Sequence, residues 1–328
     1  MPVTVRSFAK INLGIYIGPR RADGFHELRT VYQTIGLHDV LRVNVGRGMG
    51  VEIRCQDDRV PKDESNTCWR IAEKAMRALK ARGRVRIEID KRLPVQGGLG
   101  GASANAVATL LGIERALKKA LPAAERLRIA AEVGSDLPLF LIGGTVLGVG
   151  RGEQVFPLPD LPATACVVVT PDVGVSTPKA FAEWDRLHPL PSELTTGPGS
   201  DRLNELGYEL SAWSSELASA SAPRKGGQTL NPLHGLVRTG IANDFESVVF
   251  PEFPELKEVK RALESAGAKY ASLSGSGSTL YGLFASAEAA RTAVAGLRRQ
   301  GWKALATATV TRRAYWRKIA GSGGPANF

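Results

Sequence analysis

The run PVQGGLGGASANA, from Pro94 to Ala106, constrains this chain more than any other stretch. Its four glycines, at positions 97, 98, 100 and 101, weaken a helix or strand interior, so they make sense where the backbone bends or comes close to something. The segment before it, Val85–Asp90, alternates β-branched and charged residues and reads as a strand. The segment after it, Ser103–Lys119, reads as a helix: Val107, Leu110, Leu111 and Leu117 form an apolar face, and Lys118-Lys119 suit its negative C-terminal end. A strand, a glycine loop and a helix make a ready anion site, because free N–H groups at the helix start point outward. Ser103 either caps that helix or donates to a phosphate. From these residues alone, a tight strand-to-helix turn and a phosphate cradle are equally open. The loop is not a P-loop, since GxxxxGK[ST] is absent, and Gly98–Ser103 falls short of the dinucleotide fingerprint.

The flanking sequence frames the loop. Strands are expected at Val3–Phe8, Ile11–Ile17, Val40–Val45 and Val51–Arg54. A helix capped by Ser65 or Asn66 follows, with Ile71, Ala75, Met76 and Leu79 on one face. Further helices are expected at Pro122–Val133, Pro254–Ala266 and Ala287–Gln300, with strands at 143–150, 165–170, 279–284 and 303–309. Runs of strands with few helices between them indicate α+β rather than an alternating parallel sheet. The chain has 328 residues, enough for two domains, and the prolines at 157, 159 and 162 suggest a boundary near 151–162. Residues 190–230, rich in Ser, Pro, Gly and Thr, read as a loop-rich insertion.

Composition narrows the function. The net charge of +11 favours anionic ligands, but Lys and Arg are dispersed, with modest clusters at Lys80–Arg86 and Arg312–Lys318 and no aromatic-basic interleaving. Neither nucleic acid nor a membrane is the expected partner. No apolar run reaches membrane-spanning length and the N-terminus lacks a secretory signal, so a cytoplasmic location is expected. Cys55, Cys68 and Cys166 form no metal or disulfide pattern and are expected to be inert thiols.

The pattern Pro-x-x-x-Gly-Leu-Gly followed by small residues and Ser resembles the ATP-binding loop of the GHMP kinases, the family of galactokinase, homoserine kinase and mevalonate kinase. SFAKINLGIYIGPRRADGFHEL (Ser7–Leu28), DKRLPVQGGLGGASANA (Asp90–Ala106), GSDLPLF (Gly134–Phe140) and LSGSGSTLYGLF (Leu273–Phe284) extend the resemblance in order. They point to the branch that phosphorylates the 2-hydroxyl of 4-diphosphocytidyl-2-C-methyl-D-erythritol in isoprenoid precursor synthesis. The resemblance is absent over about 190–230.

The resemblance implies two domains. A ribosomal-protein-S5-like ATP-binding domain covers residues 1–155, and a ferredoxin-like α/β sandwich domain covers 156–328. It implies Asp136 as the base that takes the hydroxyl proton and Lys10 as the ammonium beside it. ATP would lie on Pro94, Val95, Gln96, Gly97, Gly98, Leu99, Gly100, Gly101, Ala102, Ser103 and Ala104, accompanied by Mg²⁺ whose ligands it does not identify. A substrate with a cytidine diphosphate moiety would meet Asn12, Phe25, His26 and Phe181, with Phe25 and Phe181 stacking on the base and His26 on its edge. The turn Gly275, Ser276 and Gly277 would close over phosphates and substrate. Three positions depart from the family: Gln96 stands for a small residue, and Ala102 and Ala104 replace Gly and Ser. A homoserine or mevalonate type of kinase is the alternative within the family, opposed by the Gly24-Phe25-His26 turn and Phe181. A non-catalytic nucleic-acid-binding relative is the alternative outside it.

Overall fold

A computed structural model describes residues 2–95, 97–189, 204, 207–209, 211–215, 235 and 240–320. Gln96 and most of the stretch expected as a loop-rich insertion lie outside the described residues. The first sheet holds β1 (Val3–Arg20), β2 (His26–Gly46), β3 (Val51–Cys55), β4 (Arg84–Asp90), β5 (Thr145–Gly150) and β6 (Gln154–Pro157). Among them lie α1 (Thr67–Ala78), α2 (Gly101–Leu117), α3 (Ala123–Val133) and α4 (Leu137–Phe140). The second sheet holds β7 (Ala165–Val169), β8 (Tyr270–Leu273), β9 (Leu280–Phe284) and β10 (Ala304–Ala308), with α5 (Thr177–Leu187), α6 (Glu246–Glu252), α7 (Pro254–Ser265) and α8 (Ala287–Arg299) beside it. The chain closes with α9 (Arg312–Ala320).

Most of the first sheet is antiparallel; the parallel pair β3–β4 is connected through α1. β1 runs along one edge of β2, while β4 and β5 share the other, pairing with Val40–Gly46 and Leu28–Gln33 respectively. The outer edge of β1 is closed by other chain segments. Lys10 N–H donates to the Leu99 carbonyl of the glycine loop (3.0 Å), and Ile15 N–H to the Ala242 carbonyl (2.9 Å). The second sheet, ordered β10-β7-β9-β8, is wholly antiparallel, with α7 and α8 as its crossovers. This is the order of a ferredoxin-like sandwich, as expected.

Three apolar cores follow. One packs the first sheet against its helices and α9, through Ile71, Ile87, Leu110 and Phe140. One packs the second sheet against α7 and α8, through Val259, Leu263, Phe284 and Leu297. The third joins the sheets, setting Ile11, Leu13 and Ile35 against Val168, Tyr281 and Leu283. Cover on both faces explains why β1 is buried without a break from Ser7 to Gly18, its polar Lys10 and Asn12 included, rather than on alternate residues.

Several expectations need correction. The two strands read around Ala9-Lys10 are one strand with register shifts at Phe8/Lys10 and Asn12/Gly14, because those bulges broke the alternation. Ser103 does not cap α2: the N-cap is Gly100, and Ser103 is the third helical residue. The Arg312–Lys318 cluster is not mere surface charge, since α9 buries Tyr315 and Ile319 in the first core while Arg312 Nη2 donates to the Thr145 and Leu158 carbonyls (2.8 and 3.1 Å). Trp213, inside the stretch expected as a loop-rich insertion, lies in a helical segment over 211–215 and is buried in the core between the sheets. All three cysteines are free, and burial pushes the Cys68 thiol up to about 12, an inert thiol as expected.

Candidate active site

A cleft of about 1080 Å³ opens between the two sheets. It is lined at one end by Lys10, Asp136, Gly97, Gly98 and the turn Gly275–Gly277, and at the other by Phe25, His26 and Phe181.

The glycine loop reaches the cleft because its backbone can turn left-handed. Gly98 and Gly100 have φ of +76° and +68°. A Cβ on Gly98 would land on the Ser274 carbonyl, and one on Gly100 would sit 3.0 Å from both Lys10 Cγ and Phe140 Cζ. The loop is therefore wedged between β1 and the turn after β8. Ser274 Oγ donates to the Gly98 carbonyl (3.0 Å) and Thr279 N–H to the Gly97 carbonyl (3.3 Å). The N-cap of α2 is Gly100, which has no side chain to satisfy the first N–H groups of the helix.

Lys10 and Asn12 share a face of β1, as alternation requires, and Lys10 Nζ donates to Asn12 Oδ1 (2.5 Å). Asn12 Nδ2 donates to Thr30 Oγ1 (2.7 Å), which in turn donates to the Gly14 carbonyl (2.9 Å). Asp136 comes from the turn between α3 and α4. It occupies the N-cap position of α4 without making a capping bond. Its carboxylate instead lies 3.5 Å from Lys10 Nζ through Oδ2 and accepts from the Tyr32 hydroxyl through Oδ1 (3.0 Å). Lys10 is 3% exposed and Asp136 34%, so the carboxylate faces the cleft while the ammonium supports it from behind. Burial pushes the Lys10 ammonium below its usual value, against the opposing pull of Asp136.

Asp39 organises the approach to the loop. Fully buried on β2, it accepts from Lys91 Nζ (2.8 Å), from the Arg92 and Leu93 N–H groups (both 2.7 Å) and from Asn105 Nδ2 (2.9 Å). One carboxylate thus ties the end of β4 to the first turns of α2, across the glycine run. Sequence reasoning passed over it, although an acid inside the apolar stretch GLHDVL was a signal.

At the other end, Asp23 Oδ1 accepts from the Phe25 N–H (3.2 Å), the short-range turn chemistry its sequence suggests. Phe25 is 52% exposed, with the Arg151 guanidinium 4.8 Å from its ring centre. His26 is buried and bonded to Asp185 Oδ1 through Nε2 (2.6 Å). Phe181 stacks on the His26 ring, with centroids 4.9 Å apart and planes 5° apart, and meets Phe245 edge-on. Phe181 thus lines the cleft and also packs against the second core. The Gly275 turn is linked to both ends. Asn243 Nδ2 donates to the Gly275 carbonyl (2.8 Å), and Ser276 Oγ shares a hydrogen bond with Thr177 Oγ1 on α5 (2.6 Å). The described members of the expected site face this cleft or form the loop beside it; Ala102 and Ala104 lie on α2, where Ala104 is buried. Tyr32, Asp39 and Asp185 are the additions.

Comparison with known proteins bears on this arrangement. Residues 66–144 match the GHMP kinases N terminal domain and residues 229–303 the GHMP kinases C terminal domain. A 4-diphosphocytidyl-2-C-methyl-D-erythritol kinase of Solibacter usitatus is 38% identical over 281 residues, 85% of this chain and 80% of the relative. Its namesake in Geobacter sulfurreducens is 33% identical, covering 94% of this chain and 99% of the relative. The crystal structure of a 4-(cytidine 5'-diphospho)-2C-methyl-D-erythritol kinase superposes with a TM-score of 0.70 at 29% identity, over 94% of this chain and 99% of that one. A homoserine kinase from Cytophaga hutchinsonii, at 21% identity and a TM-score of 0.66 over 94% and 95% of the two chains, shares the fold. The chain belongs to the GHMP kinases, in the 4-diphosphocytidyl-2-C-methyl-D-erythritol kinase family.

Proposed function

We propose that this chain transfers the γ-phosphoryl group of ATP to the 2-hydroxyl of 4-diphosphocytidyl-2-C-methyl-D-erythritol, giving the 2-phosphate and ADP. The observation that carries the reading is the Lys10–Asp136 pair, set beside a glycine loop and facing a cleft with aromatic walls at its far end. A new O–P bond forms as the bond to the ADP leaving oxygen breaks, and the hydroxyl proton passes to the Asp136 carboxylate. Lys10 holds that carboxylate in place and keeps positive charge near the transferring group. Asn12, anchored through Thr30, fixes the direction of the Lys10 ammonium.

The fit of ATP rests on the loop itself: glycines at 98 and 100 let the backbone pack against Ser274, Lys10 and Phe140 without a Cβ clash, and Gly97 and Gly98 line the cleft beside a helix start whose N-cap has no side chain. Ala102 and Ala104 do not weaken this, since backbone donors carry such a site. Among the described residues no group of three or more His, Cys, Asp or Glu side chains is placed to hold a metal. If Mg²⁺ accompanies the nucleotide, the Ser103 hydroxyl on the first turn of α2 is the side chain that would help hold it. When bound, Mg²⁺ neutralises phosphate charge.

Phe25, His26 and Phe181 form the wall suited to a pyrimidine, with the half-exposed Phe25 ring available for stacking and the His26 ring held in place by Asp185 and Phe181. A coupled ADP-release assay tests the reading. Turnover is expected with the cytidine-diphosphate-linked methylerythritol and not with methylerythritol phosphate, homoserine or mevalonate. Equal turnover of homoserine or mevalonate would favour the alternative within the family.

A further inference from the structure

Tyr32 lies on β2, is 2% exposed, and directs its hydroxyl into the cleft against Asp136 Oδ1 (3.0 Å). Its placement is specific. The ring rests on β5 and the turn that follows, where two glycines make room for it. A Cβ on Gly148 would come within 2.6 Å of the Tyr32 ring at Cε2, and one on Gly152 would strike the hydroxyl oxygen. Lys10 Nζ stands 5.8 Å from the ring centre. The phenol is a fixed wall beside the Lys10–Asp136 pair, with its one O–H spent on Asp136.

We infer that Tyr32 is a positioning residue for the phosphoryl transfer: its hydroxyl pins Oδ1 of Asp136, so that Oδ2, the oxygen beside Lys10, is the one presented to the substrate hydroxyl. This rests on the reading of Asp136 as the base. A carboxylate on a short turn at the mouth of a cleft rotates freely about its χ2 unless something holds it. Lys10 at 3.5 Å holds one oxygen loosely, and the Tyr32 hydrogen bond holds the other at full strength. Burial, aided by the neighbouring carboxylate, pushes the Tyr32 hydroxyl well above its usual value, so it remains a donor throughout the working range. Glycine at 148 and 152 is part of the same device, because a side chain at either position would displace the ring or the hydroxyl.

Tyr32→Phe removes the hydroxyl and keeps the ring, and steady-state kinetics with ATP and the cytidine-linked substrate read the result. Loss of a hydrogen bond to a charged group that acts only on the reacting geometry is expected to lower kcat by about tenfold or more, with both KM values and the thermal midpoint unchanged. A kcat reduced by less than about fivefold overturns the inference, as does a fall in kcat accompanied by raised KM values and a lowered thermal midpoint, the signature of general loosening. Asp136→Asn assayed alongside separates the two readings. If it retains turnover, the base assignment fails; if it abolishes turnover while Tyr32→Phe does not slow it, the positioning role alone fails.

Discussion

Lys10 Nζ and Asp136 Oδ2 stand 3.5 Å apart, one on the first strand and the other on the turn before α4, with the ammonium buried and the carboxylate open to the cleft. The pairing is asymmetric in energy as well as in exposure. Burial disfavours the charged ammonium more than Asp136 restores it, so Lys10 titrates below its unfolded value of 10.5. A lowered value means that the unfolded chain holds the proton more tightly than the folded one. The resulting penalty is fully present below the folded value and is relieved as pH rises through the window up to 10.5. Turnover is therefore expected to fall along an alkaline limb centred below pH 10.5, and Lys10→Met to lose turnover without losing thermal stability. A pH–rate profile flat beyond 10.5, or a markedly less stable Lys10→Met, would count against this account.

Two glycine substitutions separate contact from composition. Gly98→Ala places a Cβ on the Ser274 carbonyl at a positive φ, so it is expected to raise the KM for ATP by at least about tenfold or to lower the thermal midpoint. Gly296→Ala, within α8 and with nothing within 4 Å, is expected to leave kinetics unchanged and to stabilise by about 0.5–1 kcal/mol. Kinetics and thermal melts of the two variants give the comparison.

Asp39 is buried with four donors aimed at it, including the nearly buried Lys91 ammonium. Asp39→Ala strands that ammonium and frees the entry to the glycine loop. The expected cost is about 3–5 kcal/mol of stability, as for breaking a buried pair, read as a shift in the denaturant midpoint. ATP affinity is expected to fall with it.

At the far end of the cleft, Phe25→Ala removes a half-exposed ring that lies under the Arg151 guanidinium. Its loss is expected to raise the KM for the cytidine-linked substrate by about 5- to 100-fold, in line with one base–aromatic stack, with the KM for ATP unchanged. Isothermal titration with cytidine diphosphate provides a check independent of turnover.

Much of the fold was legible because local signals agreed with it. Asn66 caps α1 through its side chain as its position suggested (2.8 Å to the Cys68 N–H), and Gly134 ends α3. The bend of the glycine loop between strand and helix was legible from its composition, whereas the meeting of Lys10 and Asp136 was expected only through family resemblance, since nothing local reports that distant positions meet. What stayed hidden depends on tertiary partners. Tyr32 looks like any strand aromatic until Asp136 arrives beside it. Residues 28–37 of β2 show weak alternation because that strand is covered on both sides. The polar face of α9 masked two core residues, Tyr315 and Ile319. Phe181 could be read as a core residue or as a base-facing one, and its ring borders both the second core and the cleft.

The claim on which the rest depends is that Asp136 takes the proton from the substrate hydroxyl. Asp136→Asn keeps the shape and the Tyr32 contact region while removing the basicity. Single-turnover phosphoryl transfer measured beside ATP binding is the direct test. The account predicts transfer slowed by about 10²–10⁴-fold, the usual contribution of a positioned base, with ATP affinity close to that of the unaltered protein. Transfer at the unaltered rate would contradict it.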